Sequence, residues 1–587
     1  MIGNNKNNII NNINLNDLDS KNEKKSIFDL KLHSSGSFGV VLKNELTKEI
    51  YKITEFSESE HININNFVEM IHLNYFKSKY TNLYENDSIT YLPIQNTSTT
   101  ICYLYDFIKL YKIDNKLYSK IISILRIKNN DIIIVNKMKY YPNNLANFIF
   151  EKKITCKNIL YIVECLILGL NVIHSDNLLH GDLKPHNIVL DNIGVKIIDF
   201  GGIKSLFNPN YECTCTSTYR SPEDYSHEFR NKNESTIWEC SLKSDIWSLG
   251  LIFHEIIFGK NPILKIYNDI RDKNYKIDEI SLENKINEYY KSINHIEIFN
   301  IDVEKKIMTK TNHEQTQLLK ITKTLEKMLK LNPENRINLE EIYYELFFKK
   351  LPDFKKYSIK FDYKIDSENK TKFLKFRNFY YQFIYKVLSN NTELFLYPLL
   401  INLFDRYLIT LFNSDDNISD QIKKCNLNSS SSLSSSLSSS SSSSLSSDTS
   451  EDNYQTDFYM CSGNIIYYDL ENDLSNNKNL SYQMDHVCII TCTFYIMTKI
   501  LILKEINKIN LELLKFDEMF TEKFIKTLYP NIFLYFVSNL INISSKLNWD
   551  IARPKLYLYS NTDITKVEEI IEVFNDFNIE KIIEYSE

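Results

Sequence analysis

The chain has 587 residues, 43% of them hydrophobic, with 69 Lys and Arg against 75 Asp and Glu and a net charge of -6. This length accommodates more than one domain with its own hydrophobic core. The nearly balanced charge disfavours a dedicated nucleic-acid-binding or membrane-surface protein. Its 10 cysteines form no paired C-x-x-C motif and no signal peptide is visible, so a cytoplasmic or nuclear protein with reduced thiols is expected.

Residues 1–25 are rich in Asn and Lys and show little apolar periodicity, which predicts a disordered leader. The pattern changes from Leu32 onward, where apolar residues surround a segment that contains Ser34, Gly36, Gly39 and Val41. Glycines in a turn between strands let the backbone approach a ligand closely, although an ordinary Gly/Ser turn has the same pattern.

A lysine and a choice of glutamates follow this segment. Lys52 stands in Glu49-Ile50-Tyr51-Lys52-Ile53, a predicted strand, where an exposed strand lysine is the ordinary alternative to a functional one. Glu69, in the next predicted helix, has apolar neighbours at helical spacing and is a candidate partner for this lysine. Glu58 and Glu60 remain rivals for that role.

Residues 131–135 are predicted to form a buried strand that leads into Asn136, Lys137 and Met138, and residues 158–174 have the periodicity of a helix. Two polar loops then follow apolar runs. The first contains His180, Asp182, Lys184 and Asn187, and the second begins with Asp199-Phe200-Gly201. Phosphoryl transfer requires a carboxylate for the attacking hydroxyl, an amide and a second carboxylate for Mg²⁺, and a lysine for the transferring phosphate.

In this order and at this separation, the motifs resemble those of eukaryotic-type serine/threonine protein kinases. The resemblance implies a bilobal kinase domain over 26–350, with an N-lobe over 26–139 and a C-lobe over 140–350. It implies ATP and Mg²⁺ as cofactors and protein hydroxyls as substrates. The catalytic residues would be Asp182, Lys184, Asn187 and Asp199, of which Asn187 and Asp199 would bind the metal. The ATP-binding residues would be Ser34, in place of the first glycine, with Gly36, Gly39, Val41, Lys52, Glu69, Lys137 and Met138.

The segment from Thr216 to Glu223 resembles the end of the activation segment in cyclin-dependent kinases. There the threonine hydroxyl bonds the catalytic aspartate and lysine, here Asp182 and Lys184. By the same resemblance Asp245 should brace the catalytic loop, and Arg336 should pair with Glu223. The resemblance of Arg220 to an arginine of those kinases makes proline-directed substrates an expectation.

Two residues depart from the family. Gly181 replaces the arginine before the catalytic aspartate, and Tyr211, beside Glu212, replaces the usual phosphorylated threonine. In relatives that arginine grips the activating phosphate. We therefore expect activity without phosphorylation of the activation segment.

The second half, 360–587, contains segments that resemble a cyclin box: residues 377–387, 392–408, 492–499 and 547–554. The resemblance implies an all-α bundle in which Arg377 and Asp405 form an ion pair. Lys499 would correspond to a lysine that contacts the kinase partner. The glutamate that should accompany Lys499 falls near Leu540, so that pair is missing. An insertion over about 413–480, almost pure serine over 429–447, is predicted to be disordered.

The expected fold class is therefore α+β, with a bilobal protein kinase fold followed by an all-α cyclin-like helical bundle. The expected function is ATP-dependent phosphorylation of protein hydroxyls, activated in cis by the intramolecular cyclin-like domain. Three alternatives stay open: a pseudokinase scaffold, a small-molecule or lipid kinase, and a kinase with a C-terminal targeting or membrane-associated helical region. The last is disfavoured because charges interrupt both apolar stretches, 394–412 and 487–503.

Overall fold

A computed structural model describes residues 30–36, 39–58, 61–85, 91–93, 96–128, 131–151, 156–191, 194–206, 216–225, 241–264, 312–330, 332–357, 361–365, 367–390, 396–413, 491–503, 540, 543–551, 564–576 and 578–586. They belong to two compact units, a first unit within 14–56 and 65–358 and a second that includes 57–64 and 359–587. The predicted leader, Tyr211 and nearly all of the serine-rich insertion lie outside the described residues.

An antiparallel sheet dominates the N-terminal part of the chain, with its strands in the order β1-β2-β3-β6-β5. Alternate residues of β2 are buried, which is the period expected of a strand with one face on the core. The strands are β1 (Leu30–Gly36), β2 (Gly39–Asn44), β3 (Glu49–Glu58), β4 (His61–Ile62), β5 (Asn96–Tyr103) and β6 (Ile132–Lys139). Helix α1 (Ile64–Lys79) follows β4, and α2 (Thr81–Glu85) follows α1.

Two helices between β5 and β6 were not predicted from the sequence. They are α3 (Leu104–Leu110) and α4 (Asn115–Leu125), and Asp114 caps α4 by accepting a hydrogen bond from the Leu117 backbone N–H at 2.7 Å. Their apolar residues join one hydrophobic core with those of the sheet, including Phe107 and Ile121. The pair therefore covers one face of the sheet.

The C-terminal part of the first unit is mainly helical. Helix α6 (Cys156–His174) precedes the short strands that carry the catalytic loop, and α8 (Leu242–Phe258) lies beneath them with Trp247 buried. The remaining elements are β7 (Asn143–Asn144), α5 (Leu145–Phe150), β8 (Leu178–Leu179), β9 (Ile188–Leu190), β10 (Val195–Ile197), β11 (Lys204–Ser205), α7 (Pro222–Tyr225), α9 (Asn312–Met328) and α10 (Leu339–Phe347). Strands β10-β9-β7 form one small sheet and β11-β8 another.

The described part of the second unit is mainly helical. Arg377, Asp405 and Arg406 are buried there among apolar side chains. Its helices are α11 (Ser367–Asn390), α12 (Tyr397–Asn413), α13 (491–498, continued by a π-helical turn over Lys499–Leu503), α14 (Ile564–Asn575) and α15 (Ile579–Ser586). Among the described residues, none of the helices combines the length and apolar character that crossing a membrane requires.

Candidate active site

The glycine-rich segment joins β1 to β2. Gly39 has a φ of +127°, and a Cβ placed there would lie 2.4 Å from the Ile53 carbonyl oxygen. Only glycine therefore fits this approach of β2 to β3. The strand register pairs Ser34 with Val41, and Val41 with Lys52, so these residues lie side by side along the sheet. Gly36 ends β1 on the other side of the turn.

Lys52 lies between two carboxylates. Its ammonium is 2.6 Å and 2.8 Å from the two carboxylate oxygens of Glu69 and 3.1 Å from Asp199 Oδ1. Burial lowers the pKa of Lys52, but the charges of Glu69 and Asp199 outweigh it, so the net pKa is raised. Lys52 is therefore a fixed positive charge. Of the three glutamates considered from the sequence, the structure places Glu69, on α1, against Lys52.

The catalytic loop brings Asp182, Lys184, Asn187 and Thr216 together. The Thr216 hydroxyl donates to Asp182 Oδ1 at 2.7 Å, and Lys184 Nζ donates to Asp182 Oδ2 at 2.7 Å and to the Thr216 hydroxyl at 2.8 Å. Asn187 Nδ2 donates to the Asp182 carbonyl at 2.9 Å. These are the contacts with Thr216 that the sequence predicts, and they hold the Asp182 carboxylate in one orientation.

Asp245, at the start of α8, braces this loop as predicted. Its Oδ2 accepts from the His180 backbone N–H at 2.8 Å, and its Oδ1 accepts from that of Gly181 at 3.1 Å. His174 Nε2 lies 2.9 Å from the same Oδ2. Sequence reasoning missed this histidine. It ends α6 as an ordinary helical residue, and no motif distinguishes it.

The family has arginine at the position of Gly181, but the backbone conformation here requires glycine. Its φ is +74°, and a Cβ placed there would lie 2.5 Å from the Gly202 carbonyl oxygen. A side chain at 181 would therefore meet both left-handed strain and a backbone clash. The backbone geometry at position 181 therefore leaves no room for the arginine that the family has there.

Asp199 has a left-handed backbone, with a φ of 68°, and Phe200 after it is fully buried. Burial raises the pKa of Asp199, but the charge and hydrogen bond of Lys52, with His180 and Lys184, lower it to a net value below the usual range. The carboxylate is therefore ionised at neutral pH. The described contacts of Asn187 use its Nδ2, which leaves the amide oxygen for a ligand. A carboxylate and an amide oxygen are ligands that suit Mg²⁺.

The predicted ATP-binding residues Lys137 and Met138 lie on β6. Met138 is buried, whereas Lys137 pairs with Glu49 at 2.9 Å, so its ammonium is already engaged. A nucleotide would therefore contact Lys137 through its backbone. Asn136 is fully buried behind these residues and accepts a hydrogen bond from the Thr99 hydroxyl at 2.8 Å.

Arg336 forms the predicted pair with Glu223, and the pair is bidentate. Its Nη1 and Nη2 lie 2.5 Å and 2.6 Å from the two Glu223 oxygens, and its Nε donates to the Lys330 carbonyl at 2.7 Å. The arginine side chain is buried. Removing one partner of such a pair costs about 3–5 kcal/mol of stability, because the other charge stays buried and uncompensated.

Residues 108–348 match the family model described as the protein kinase domain. A probable cell division protein kinase of Encephalitozoon cuniculi is 35% identical over 144 residues, which are 24% of this chain and 50% of that protein. Extracellular signal-regulated kinase 1 of Candida albicans is 28% identical over 257 residues, 38% of this chain and 58% of that protein. A probable inactive serine/threonine-protein kinase of Dictyostelium discoideum is 34% identical over 128 residues, 20% of this chain and 15% of that protein.

This chain thus spans 15% to 58% of the length of these curated relatives. The family model agrees with the bilobal kinase fold described above. Residues 108–348 therefore have the sequence of a protein kinase domain, and the relatives that they resemble are named as protein kinases.

Proposed function

We propose that this chain, which contains a protein kinase domain, is an active serine/threonine kinase that transfers the γ-phosphate of ATP to protein hydroxyls. The observation that carries the proposal is the arrangement around Asp182. One of its oxygens faces the Thr216 hydroxyl and the other faces Lys184. This carboxylate is ready to orient a substrate hydroxyl and to take its proton.

The other charged residues supply the electrostatics of transfer. Lys52, held by Glu69, presents a fixed positive charge to nucleotide phosphates, and Asn187 and Asp199 would hold Mg²⁺. Bound Mg²⁺ neutralises charge on the phosphates. Preorganised charges of this kind stabilise a transition state without reorganisation during the reaction.

Transfer of labelled phosphate from Mg-ATP to a degenerate peptide library tests the activity, with Asp182→Asn as the control. We expect incorporation by the wild-type protein and at least about a hundredfold less by Asp182→Asn, which keeps the side-chain shape but loses the base. Equal incorporation by both proteins would contradict the proposal.

A pseudokinase scaffold is the second candidate, because one relative is named as a probable inactive kinase. It is disfavoured here because Lys52, Asp182, Asn187 and Asp199 are all present. Nucleotide binding by the wild-type protein without turnover, under conditions in which a control kinase is active, would favour the scaffold.

We further propose that the substrates are protein hydroxyls followed by proline. Support comes from the resemblance of residues 216–223 to the peptide-positioning segment of cyclin-dependent kinases, where Arg220 holds the matching position. The same peptide library, read at the position after the phosphorylated residue, tests the preference. Small-metabolite acceptors, assayed in parallel, test the alternative of a small-molecule kinase.

The activity is proposed to need no phosphate on the activation segment. Support comes from Gly181, whose backbone position leaves no room for the arginine that would bind such a phosphate. Phosphatase treatment should leave the activity unchanged, and so should Tyr211→Phe. Loss of activity in both experiments would contradict this part of the proposal.

Activation in cis by the cyclin-like second unit is also proposed. Fusion places an activator at millimolar effective concentration when the linker spans the sites. Support comes from the ordered cyclin-box resemblances and from the Arg377–Asp405 pair within the second unit. A chain that ends at Ser358 tests this. We expect it to stay folded and to lose most activity, whereas full activity would make the second unit a targeting module.

A further inference from the structure

A row of aromatic rings joins the Asp-Phe-Gly loop to the segment that follows the kinase domain. The rings of Phe200 and Phe76 have centroids 5.5 Å apart, those of Phe76 and Tyr80 6.4 Å apart, and those of Tyr80 and Phe354 6.2 Å apart. Phe200, Phe76, Tyr80 and Phe354 are all buried. Phe76 lies on α1 and Tyr80 directly follows it, so the row runs along the C-terminal half of the helix that carries Glu69.

The segment 351–357, here named the tail segment, is attached to the rest of the first unit at two places, near Pro352 and at Phe354 and Tyr357. The Pro352 carbonyl accepts a hydrogen bond from Asn171 of α6 at 2.8 Å. The Tyr357 ring lies 6.0 Å from that of Tyr80, and Tyr91 lies 6.0 Å from Phe354. All of these residues belong to the first unit. The tail segment therefore packs both on α6 and on Tyr80, the residue that directly follows α1.

An ion pair strengthens the same attachment. Lys79, at the end of α1, pairs with Asp176 in the loop after α6, and the lysine side chain is fully buried. The C-terminal end of α1 is thus fixed to the C-lobe by charge and by aromatic packing. A helix is stiff over this length, about 16 Å from residue 69 to residue 80 at 1.5 Å per residue. Fixing one end therefore limits where Glu69 lies.

We infer that the tail segment, through Phe354 and Tyr357 on Tyr80, is a positioning element that holds α1 where Glu69 pairs with Lys52. The inference rests on the proposed function, since the pair matters for phosphate binding only in a kinase. It assigns a role to residues 351–357, which lie outside the kinase domain predicted from the sequence.

The decisive experiment uses full-length Phe354→Ala beside full-length Tyr343→Ala. Tyr343 is a buried aromatic residue of α10 that packs on Phe347 and bonds Glu164, so its loss costs packing in the C-lobe but leaves the rings of Phe354 and Tyr357 on Tyr80. Hydrogen exchange of the α1 amides is measured in both variants and in the wild type. We expect α1 exchange at least about fivefold faster in Phe354→Ala, the lower end of typical coupling between sites, and no change in Tyr343→Ala.

Kinetics supply a second readout that a smaller folded fraction does not change. The KM for ATP should rise at least about fivefold in Phe354→Ala, because Lys52 loses its orientation, while the KM for peptide stays constant. Phe354→Leu, which keeps an apolar contact with Tyr80, should restore most of the ATP KM. Tyr357→Ala, at a half-exposed position, provides a milder change in the same direction if Phe354→Ala fails to fold.

Unchanged α1 exchange in the tail-segment variants, or equal acceleration in Tyr343→Ala, would overturn the inference. If the wild-type protein transfers no phosphate, the proposed function fails, but the exchange comparison still decides whether the tail segment holds α1. The two failures are therefore distinguishable.

Discussion

Three residues of the site hold backbone conformations with positive φ, and each lies at a turn that aims a functional group. Gly39 closes the turn between β1 and β2, Gly181 precedes the catalytic aspartate, and Asp199 begins the Asp-Phe-Gly loop. Left-handed backbone costs a non-glycine residue roughly 1–2 kcal/mol, and aspartate tolerates it better than most residues. The strain at Asp199 is thus held at the residue that would bind the metal, where the ion pair with Lys52 supports it.

Gly39→Ala should weaken nucleotide binding. The added methyl group would lie 2.4 Å from the Ile53 carbonyl oxygen, so β2 must move away from β3. This movement would shift Val41 and disturb its pairing with Lys52. We expect the KM for ATP to rise about tenfold and the free energy of unfolding to fall by about 1–3 kcal/mol. Steady-state kinetics and urea denaturation measure the two effects.

Gly259→Ala is the matched control for this change. Gly259 also has positive φ, +71°, but a Cβ there meets nothing within 4 Å. Its substitution should cost only the backbone strain, about 1 kcal/mol, and should leave the KM for ATP unchanged. An equal rise in KM for both variants would show that general destabilisation, not the contact with Ile53, is responsible.

Thr216→Val should lower kcat while the protein stays folded. The substitution keeps the shape of the side chain but removes the hydroxyl that bonds Asp182 and Lys184. We expect kcat to fall about 10- to 100-fold, the range for a displaced catalytic group, with less than about 1.5 kcal/mol lost in stability. Thr216→Ser keeps the hydroxyl and should retain most of the activity. A similar kcat for the valine and serine variants would contradict the role of the hydroxyl.

At the scale of residues, the sequence predicted contacts correctly where a motif specifies both the residue types and their chemical roles. Asp182, Lys184 and Thr216 meet as the resemblance predicts, because their motif dictates both spacing and roles. The sequence favoured Glu69 as the partner of Lys52 and left Glu58 and Glu60 as rivals. That choice depends on how α1 packs on the sheet, which is set by contacts far apart in the chain.

At the scale of elements, α8 positions the catalytic loop through one carboxylate. Burial raises the pKa of Asp245, but the hydrogen bond and charge of His174, with His180, lower it more, so the net pKa lies below its usual value. The carboxylate is buried and accepts from two backbone N–H groups of the loop. The start of a helix thereby fixes a loop 65 residues earlier in the chain.

Asp245→Asn should therefore destabilise the first unit in a pH-dependent way. At pH 7 we expect the free energy of unfolding to fall by about 3 kcal/mol, because hydrogen bonds to a charged acceptor become bonds to a neutral one. The pKa of the Asp245 carboxyl is lower in the folded state than in the unfolded state, where it is about 3.9. The ionised carboxylate therefore stabilises the folded protein fully above the unfolded pKa, and this stabilisation is lost as the pH falls through the folded pKa. The difference between wild type and Asp245→Asn should thus narrow below about pH 4, as urea denaturation at several pH values would measure. A constant difference would contradict an ionised Asp245.

The helices α3 and α4 show what the sequence did not predict at this scale. Their apolar residues, such as Phe107 and Ile121, are buried in one core with residues of the sheet, yet the family pattern has no motif over 104–125. Asp114 before an apolar helical run was a usable signal, because aspartate caps helix N-termini. Where the helices pack could not be predicted, since that depends on which face of the sheet is open.

At the scale of the whole chain, the first unit extends to Ser358. Residues 351–357 belong to it because Phe354 and Tyr357 pack on Tyr80. A truncation near residue 355 would remove part of this contact together with the second unit. An effect on activity could then not be assigned to one or the other. Tests of the second unit should therefore keep the chain to Ser358 or use substitutions within the second unit.

Within the second unit, Arg377 and Asp405 form the predicted ion pair. Arg377 Nε and Nη2 lie 2.8 Å and 2.9 Å from the two Asp405 oxygens, and the Tyr381 hydroxyl donates to the same carboxylate at 2.9 Å. Arg377 also donates to the Phe574 carbonyl, which joins α11 to α14. Both charged side chains are fully buried. The pair therefore links three helices.

Asp405→Ala should unfold the second unit selectively. It leaves the Arg377 charge buried without its carboxylate, which costs about 3–5 kcal/mol. The double change Arg377→Met with Asp405→Leu removes both charges and should recover most of that stability, since apolar replacements of buried pairs are often neutral. Calorimetry should show an earlier transition in Asp405→Ala than in the double variant.

Kinase activity in the same two proteins then decides what the second unit does. If it activates the kinase in cis, phosphate transfer by Asp405→Ala should fall at least about fivefold above the melting temperature of the second unit, and the double variant should keep its rate. The unfolding transition of the first unit should stay in place in both, because its core and the tail segment are intact. Full activity in Asp405→Ala, with the second unit unfolded, would rule out cis activation and favour a targeting role.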